Sequence, residues 1–256
     1  MANLLILAGA PIAAIAASRG SGAEYLLTDS PKEVWQDSAS GSAANIDIDL
    51  SVARPIDSVF LGSILPPLAG AAWTITGGLA GYGETVLKAA GALRAVDRAG
   101  MAPALSHALW TGAATTVRYL RLAITQPGDG AALSIGNVIV GSAFQPHWNK
   151  EWGSGRRVID TGTVTPLIDG GFAVVEGARK GSYGWTFGDL ADDEVDRLYA
   201  LQLDRGETRP LVVAEDPAAT DGQMLRLHYC RFVSLKAYER RDPSQTRWDL
   251  AVEDWL

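Results

Sequence analysis

Glycine and proline break this chain into short pieces, with 28 Gly and 12 Pro spread over 256 residues. The pieces between them alternate apolar and polar residues. Period-two alternation is the pattern of strands with one wet face, and many short strands parted by turn formers predict a sandwich or a barrel. From Ala44 to Leu50, for example, Ile46, Ile48 and Leu50 fall on one face and Asn45, Asp47 and Asp49 on the other. Residues 58–62, 73–76, 116–124 and 134–140 read the same way. Residues 142–156 carry turn formers and polar groups without a period, so the chain is expected to divide there. A β-sandwich over 1–143 and a second β domain over 144–256 follow, each long enough to bury its own core.

Strands resume at 158–164, 171–177, 181–187, 210–214, 224–234 and 248–255. One segment departs from the pattern. Between Asp189 and Gly206, acids crowd the first turn, Val195, Leu198 and Leu201 space out as a helical stripe, and Gly206 supplies a stop. These signals predict one helix, over about residues 190–204. The fold class is therefore mainly β, with two β domains and one α-helix flanking the second.

With 22 Lys+Arg against 29 Asp+Glu the net charge is −7, and basic runs are no longer than Arg156-Arg157 or Arg240-Arg241. Phosphate backbones are held by clustered cations, so nucleic-acid binding is not expected. Cys230 is the single cysteine, which excludes an internal disulfide and a cysteine-based metal site. Its alternating setting, Leu-His-Tyr-Cys-Arg-Phe-Val, places it in a strand as a core residue. The apolar run from Leu4 to Ala17 lacks a preceding Lys or Arg and is interrupted by Pro11, which argues against a signal peptide and against a spanning helix. Synthesis in a reducing cytoplasm is the expectation.

His107, His147 and His228 lie far apart, and none has a second ligand at a spacing such as i, i+4, so neither a metal nor a cofactor is expected. Catalysis is not expected either. A glycosidase needs two acids facing one sugar. The pairs on offer, Asp47/Asp49 on a strand face and Asp192/Asp193/Glu194 at a helix start, are explained by solvation and the helix dipole. The most suggestive local feature is His147-Trp-Asn-Lys-Glu-Trp152, because exposed tryptophans stack on sugars and anchor protein interfaces. Trp148 and Trp152 are candidate interface or ligand contacts, with packing between the domains as the plain alternative. Trp35 and Trp73, at loop or strand ends of the first domain, are candidate ligand contacts against burial in the sandwich.

The first domain resembles the discoidin, or coagulation-factor C-type, sandwich. The resemblance runs through residues 23–29, the Trp35 loop, Ile46-Asp-Ile-Asp-Leu50, Pro55-Ile-Asp-Ser-Val59 and Arg118-Tyr-Leu-Arg-Leu122, and it implies a jelly roll used as a binding module. That family often closes its termini with a disulfide, which Cys230 alone cannot form. The second domain is similar to the tail-tube or distal-tail fold of long-tailed phages. Gly181-Ser-Tyr-Gly-Trp-Thr-Phe187, the helix from Asp192 to Leu203, residues 210–216 and residues 248–253 carry that likeness. It implies a β-sandwich or barrel flanked by one helix that closes into a homo-oligomeric ring, a trimer or hexamer. Together the resemblances imply a non-enzymatic structural protein of a phage tail tip or baseplate. It would be made in the bacterial host cytoplasm, carried in the virion and bound to other tail proteins. The alternative is a carbohydrate-binding module for host-surface glycans, and a glycoside hydrolase is the weakest reading.

Overall fold

The computed structural model describes residues 2–39, 41, 43–65, 70–93, 106–128, 131–219, 221–242 and 245–255. In chain order the elements are β1 (Leu5–Leu7), β2 (Ala14–Ala17), β3 (Trp35–Gln36), β4 (Ala43–Ile64), β5 (Ala72–Gly78), β6 (Thr85–Ala92), β7 (Ser106–Thr125), β8 (Ser134–Ile135) and β9 (Asn137–Gly141). They continue as β10 (Gly155–Asp160), β11 (Thr163–Pro166), β12 (Phe172–Val175), β13 (Arg179–Leu190), α1 (Asp192–Arg205), β14 (Leu211–Ala214), β15 (Leu227–Ser234), β16 (Glu239–Asp242) and β17 (Gln245–Asp254). The chain is mainly β with sandwich-like sheets and, among the described residues, one α-helix, as the alternation predicts.

The chain divides into two compact units, Met1–His147 with Leu211–Tyr229 and Trp148–Pro210 with Cys230–Leu256. The first break falls inside the aperiodic segment. The return of residues 211–229 to the first unit differs from the sequence reading, which kept them in the second domain. The physical reason is that every residue of β14 is buried and the strand pairs with β1, Leu5 opposite Ala214. An all-apolar strand needs cover on both faces. Leu4 to Leu7 of the apolar N-terminal segment are thus core, whereas residues 8–17 are half-buried or exposed.

In the first unit an antiparallel sheet runs in the order β2-β4-β7-β5-β6. The long strand β4 serves two neighbours: Ile46 to Asp49 pair with β2, and Ser58 to Gly62 pair with β9. It bends where its register with β7 shifts between Asp49 and Arg54. Ser51 takes φ 66 there, a conformation costly for a residue with a Cβ. Its N–H is compensated by the Asp49 carboxylate at 2.7 Å. Such a bulge lets one strand turn from one layer toward the other. Ile46, Ile48, Leu50, Leu120, Leu122 and Ile124 fill the core with Trp35 and Trp73. The opposite face of the sheet carries the polar half of the alternation.

In the second unit β10, β13, β17 and the part of β15 from Cys230 onward form an antiparallel sheet, with β16 on the far side of β17. Trp185, Phe187, Trp248, Leu250, Val252 and Phe232 are buried, as is Cys230. The helix α1 begins two residues later than expected. The Glu194 carboxylate accepts from the Ala191 N–H at 2.9 Å, and the Gly206 N–H closes the last turn on the Gln202 carbonyl at 2.8 Å. Its buried residues are Glu194, Val195, Leu198 and Gln202, with Leu201 at the flank. The polar Gln202 takes the position that the apolar stripe assigned to Leu201.

The expected strand over 158–164 is split at Thr161-Gly162. Here the β10–β13 hairpin narrows, and a Cβ on Gly177 would lie 2.2 Å from the Gly162 nitrogen. Beyond this waist the chain continues as a two-stranded ribbon, β11 with β12, Thr163 opposite Val175 and Pro166 opposite Phe172. Every residue of both strands is exposed.

Candidate functional site

The four tryptophans singled out in the sequence separate into two pairs. Trp35 is 0% and Trp73 1% exposed. The Trp35 indole N–H donates to the Arg19 carbonyl at 3.1 Å, and the Trp73 ring sits under Lys88 Nζ, 5.4 Å from its centroid. Both plug the sandwich core rather than standing at its surface, because each lies on the inward phase of its strand. Trp148 is 63% exposed and Trp152 stands fully in solvent. Both belong to the second unit.

Two of the three histidines, His107 and His228, come together. In the first unit His107 Nδ1 accepts from the Ser63 N–H at 3.1 Å, and its ring lies 5.3 Å from Phe60. His228 Nε2 is 3.1 Å from the Glu215 carboxylate. Burial, and then the neighbouring His228, pushes His107 down to about 4, so it is neutral at pH 7. No group of three or more metal-ligating side chains is present among the described residues. No helix among them is long and apolar enough to cross a membrane.

The feature that sequence reasoning missed lies on the wet face of the first unit's sheet. Register places Asp47 on β4 opposite Arg121 on β7, and Asp49 opposite Tyr119. Arg121 grips Asp47 with two bonds, Nε to Oδ1 at 2.6 Å and Nη2 to Oδ2 at 2.7 Å. Arg118 grips Asp49 in the same manner at 2.9 and 3.0 Å. Such fork-to-fork pairs fix both partners in direction as well as in distance. The Arg118 guanidinium lies 4.7 Å from the Tyr119 ring centre and that of Arg121 5.4 Å from Tyr82. The two tyrosine rings meet edge to face, 5.1 Å apart at 64°.

Tyr82 comes from the β5–β6 connection, which two contacts fold back over the sheet. Thr76 Oγ1 donates to the Tyr82 carbonyl at 2.6 Å, and the Glu84 carboxylate accepts the Leu79 and Ala80 N–H groups, each at 2.9 Å. Gly78, opposite Tyr119 in register, makes room for the turn, since a Cβ there would lie 2.5 Å from the Gly81 carbonyl oxygen.

The electrostatics of this face follow from the pairs. The Arg118 hydrogen bond, and next the Ser51 N–H, hold the Asp49 carboxyl below the usual carboxylate range. The bonds to Asp47 and Asp49 raise the two guanidinium groups further. Burial first, and then the charges of Asp47 and Asp49, push the Tyr82 phenol up. Both carboxylates of the Asp47/Asp49 pair are engaged by arginine, so they do not form the acid and base that a glycosidase needs. The arrangement offers two aromatic rings, directed N–H donors and carboxylate acceptors on an open, half-exposed surface. It can bind a polar ligand with apolar faces.

No family model matches the chain, and no curated protein matches it. Solved structures do. A module named CBM32 of AlyQ, in complex with 4,5-unsaturated mannuronic acid, is 22% identical, with TM-score 0.41 over 52% of this chain and 97% of that one. CBM32-3 from a family 31 glycoside hydrolase of Clostridium perfringens is 18% identical, with TM-score 0.43 over 54% and 94%. A third, CpGH89CBM32-5 of the same organism, in complex with GalNAc-β-1,3-galactose, is 11% identical, with TM-score 0.40 over 50% and 94%. These neighbours are carbohydrate-binding modules, and the phage tail expectation has no counterpart among them.

Proposed function

We propose that the chain is a non-catalytic carbohydrate-binding protein whose first unit takes a glycan on the sheet face at Tyr82 and Tyr119. One observation carries the reading: two contacting tyrosine rings flanked by two bidentate arginine–aspartate pairs. Sugars present C–H faces that pack on aromatic rings and hydroxyls that need directed donors and acceptors. Each guanidinium has five N–H donors, of which the carboxylate takes two, so donors remain for a ligand. The ion pairs and ring contacts also hold the side chains before binding, which lowers the ordering cost.

The test is a glycan array probed with the intact protein and with Tyr82→Ala and Tyr119→Ala. The ligands named for the similar modules, an unsaturated mannuronic acid and a GalNAc-galactose disaccharide, are the first to include. Binding by the intact chain, lost tenfold or more in either variant at an unchanged melting temperature, is the expected result. Undiminished binding by both variants sinks the proposal.

A second reading is a structural subunit of a phage tail tip or baseplate that closes into a ring of three or six copies; such a role needs an exposed surface for protein contact, and one observation supplies that need alone. The β11–β12 ribbon exposes Val164, Phe172, Val174 and Val175, side chains that a protein surface elsewhere covers. Trp148 and Trp152 are proposed contacts with neighbouring tail proteins in this reading. Mass photometry and negative-stain microscopy, with and without a tail preparation, test it. Rings of threefold or sixfold symmetry are expected, and failure to join any tail particle contradicts it.

A further inference from the structure

The β11–β12 ribbon pairs with no third strand among the described residues. Cross-strand partners point to the same side, so Val164, Val174, Pro166 and Phe172 form one continuous apolar face, extended at the tip by Leu167 and Ile168. Two-stranded ribbons are marginal in water unless a face is covered. Here neither face is covered, and Ile168 stands fully in solvent. These side chains expose together on the order of 400 Å², taking about 100 Å² for a fully exposed one. One partner in a standard interface contributes ~800 Å².

The same unit holds a receptor of matching chemistry. A cleft of about 350 Å³ lies between α1 and the segment around β16, lined by Tyr199, Gln202, Leu203, Leu235, Tyr238 and Trp248. Its rim is apolar and exposed at Leu203, Tyr199 and Tyr238. Its floor is rigid, because the Trp248 indole N–H donates to the Lys236 carbonyl at 2.8 Å and the Tyr238 ring packs 5.2 Å from Trp248. Gln202 Nε2 is buried and has no hydrogen-bond acceptor among the described residues. Opposite charges are available at the arm's root and the start of α1, where Arg156 and Arg157 and, on the helix, Asp193 and Asp196 stand exposed, while Asp204 is already paired with Arg205 and Arg209 and Lys236 lines the cleft.

We infer that the apolar tip of the β11–β12 ribbon of one copy docks into the cleft beside α1 of a second copy. The inference rests on the assembly reading for the claim that copies meet, and it does not depend on glycan binding by the first unit. Because tip and cleft are different surfaces, each copy gives one arm and accepts another. That is a heterologous contact, of the kind that closes into rings.

Sedimentation velocity of the full chain over a range of concentrations tests it, with an arm variant, Ile168→Asp/Phe172→Asp, and a cleft variant, Leu203→Asp. All three positions are exposed, so the fold is retained, as circular dichroism will check. The intact chain is expected to self-associate, and each variant to weaken association a hundredfold or more. An equimolar mixture of the two variants is expected to recover pairing, because one keeps its cleft and the other its arm. An intact chain that stays monomeric, variants that associate as well as it does, or a mixture that fails to pair overturns the inference. Should the chain stay monomeric alone yet enter tail particles, docking between copies falls while the assembly reading stands.

Discussion

Lowering the pH should destabilise the first unit through a single histidine. His107 is buried, accepts a hydrogen bond from the Ser63 N–H, and is surrounded by Phe60, the Met224 sulfur and His228, itself engaged by Glu215. Its folded pKa is about 4 against an ordinary 6.5. The unfolded chain therefore binds a proton that the folded chain refuses. Stability from this group is full above pH 6.5, falls as pH drops from 6.5 to 4, and levels off below. Between pH 7.5 and pH 4.5 the loss works out at about 2 to 3 kcal/mol, at ~1.4 kcal/mol per pKa unit. His107→Gln retains a hydrogen-bond acceptor and removes the titration. Urea unfolding of the first unit at the two pH values, for both proteins, isolates the term, because the carboxylates titrate alike in each. The intact protein should lose about 2 to 3 kcal/mol more than the variant. Equal losses would refute the assignment of a neutral buried His107.

Three further predictions address other parts of the structure. Glu253 is buried and accepts from Lys180 at 2.8 Å and Arg231 at 2.6 Å. The Lys180 hydrogen bond, first among its contacts, holds its carboxyl below the ordinary range, so its stabilisation is lost as pH falls. Glu253→Gln leaves two cations facing a neutral amide and should cost the second unit roughly 1–3 kcal/mol at pH 7 in a denaturant titration. Trp73→Ala should empty the centre of the sandwich at a cost of about 3–5 kcal/mol, seen as a lowered first-unit melting transition. Gly78→Ala should displace the turn that carries Tyr82, weakening any ligand of that face while circular dichroism and the second unit remain unchanged.

The β elements were legible because burial on one face writes itself into the sequence at period two, as Ile46, Ile48 and Leu50 show. The helix was legible from its acidic first turn and Gly206. Its exact face was not, because Gln202 carries no apolar signal. The return of residues 211–229 to the first unit depends on pairing between β1 and β14, partners separated by most of the chain. The burial of Trp35 and Trp73 likewise depends on the inward phase of strands whose partners lie far away. The tyrosine face was half visible. Asp47 and Asp49 were read as a wet surface and Arg118 to Leu122 as a strand, but only the register brings the arginines onto the aspartates. Tyr82, in a glycine-rich connection, gave no periodic signal at all.

Sugar binding by the first unit at Tyr82 and Tyr119 is tested by chemical-shift mapping by NMR during titration with the strongest glycan from the array. The largest shifts are expected on Tyr82, Tyr119, Arg118 and Arg121 and are expected to vanish in the Tyr119→Ala variant. Shifts that cluster instead at Trp148 and Trp152, leaving the tyrosine face unmoved, would contradict it.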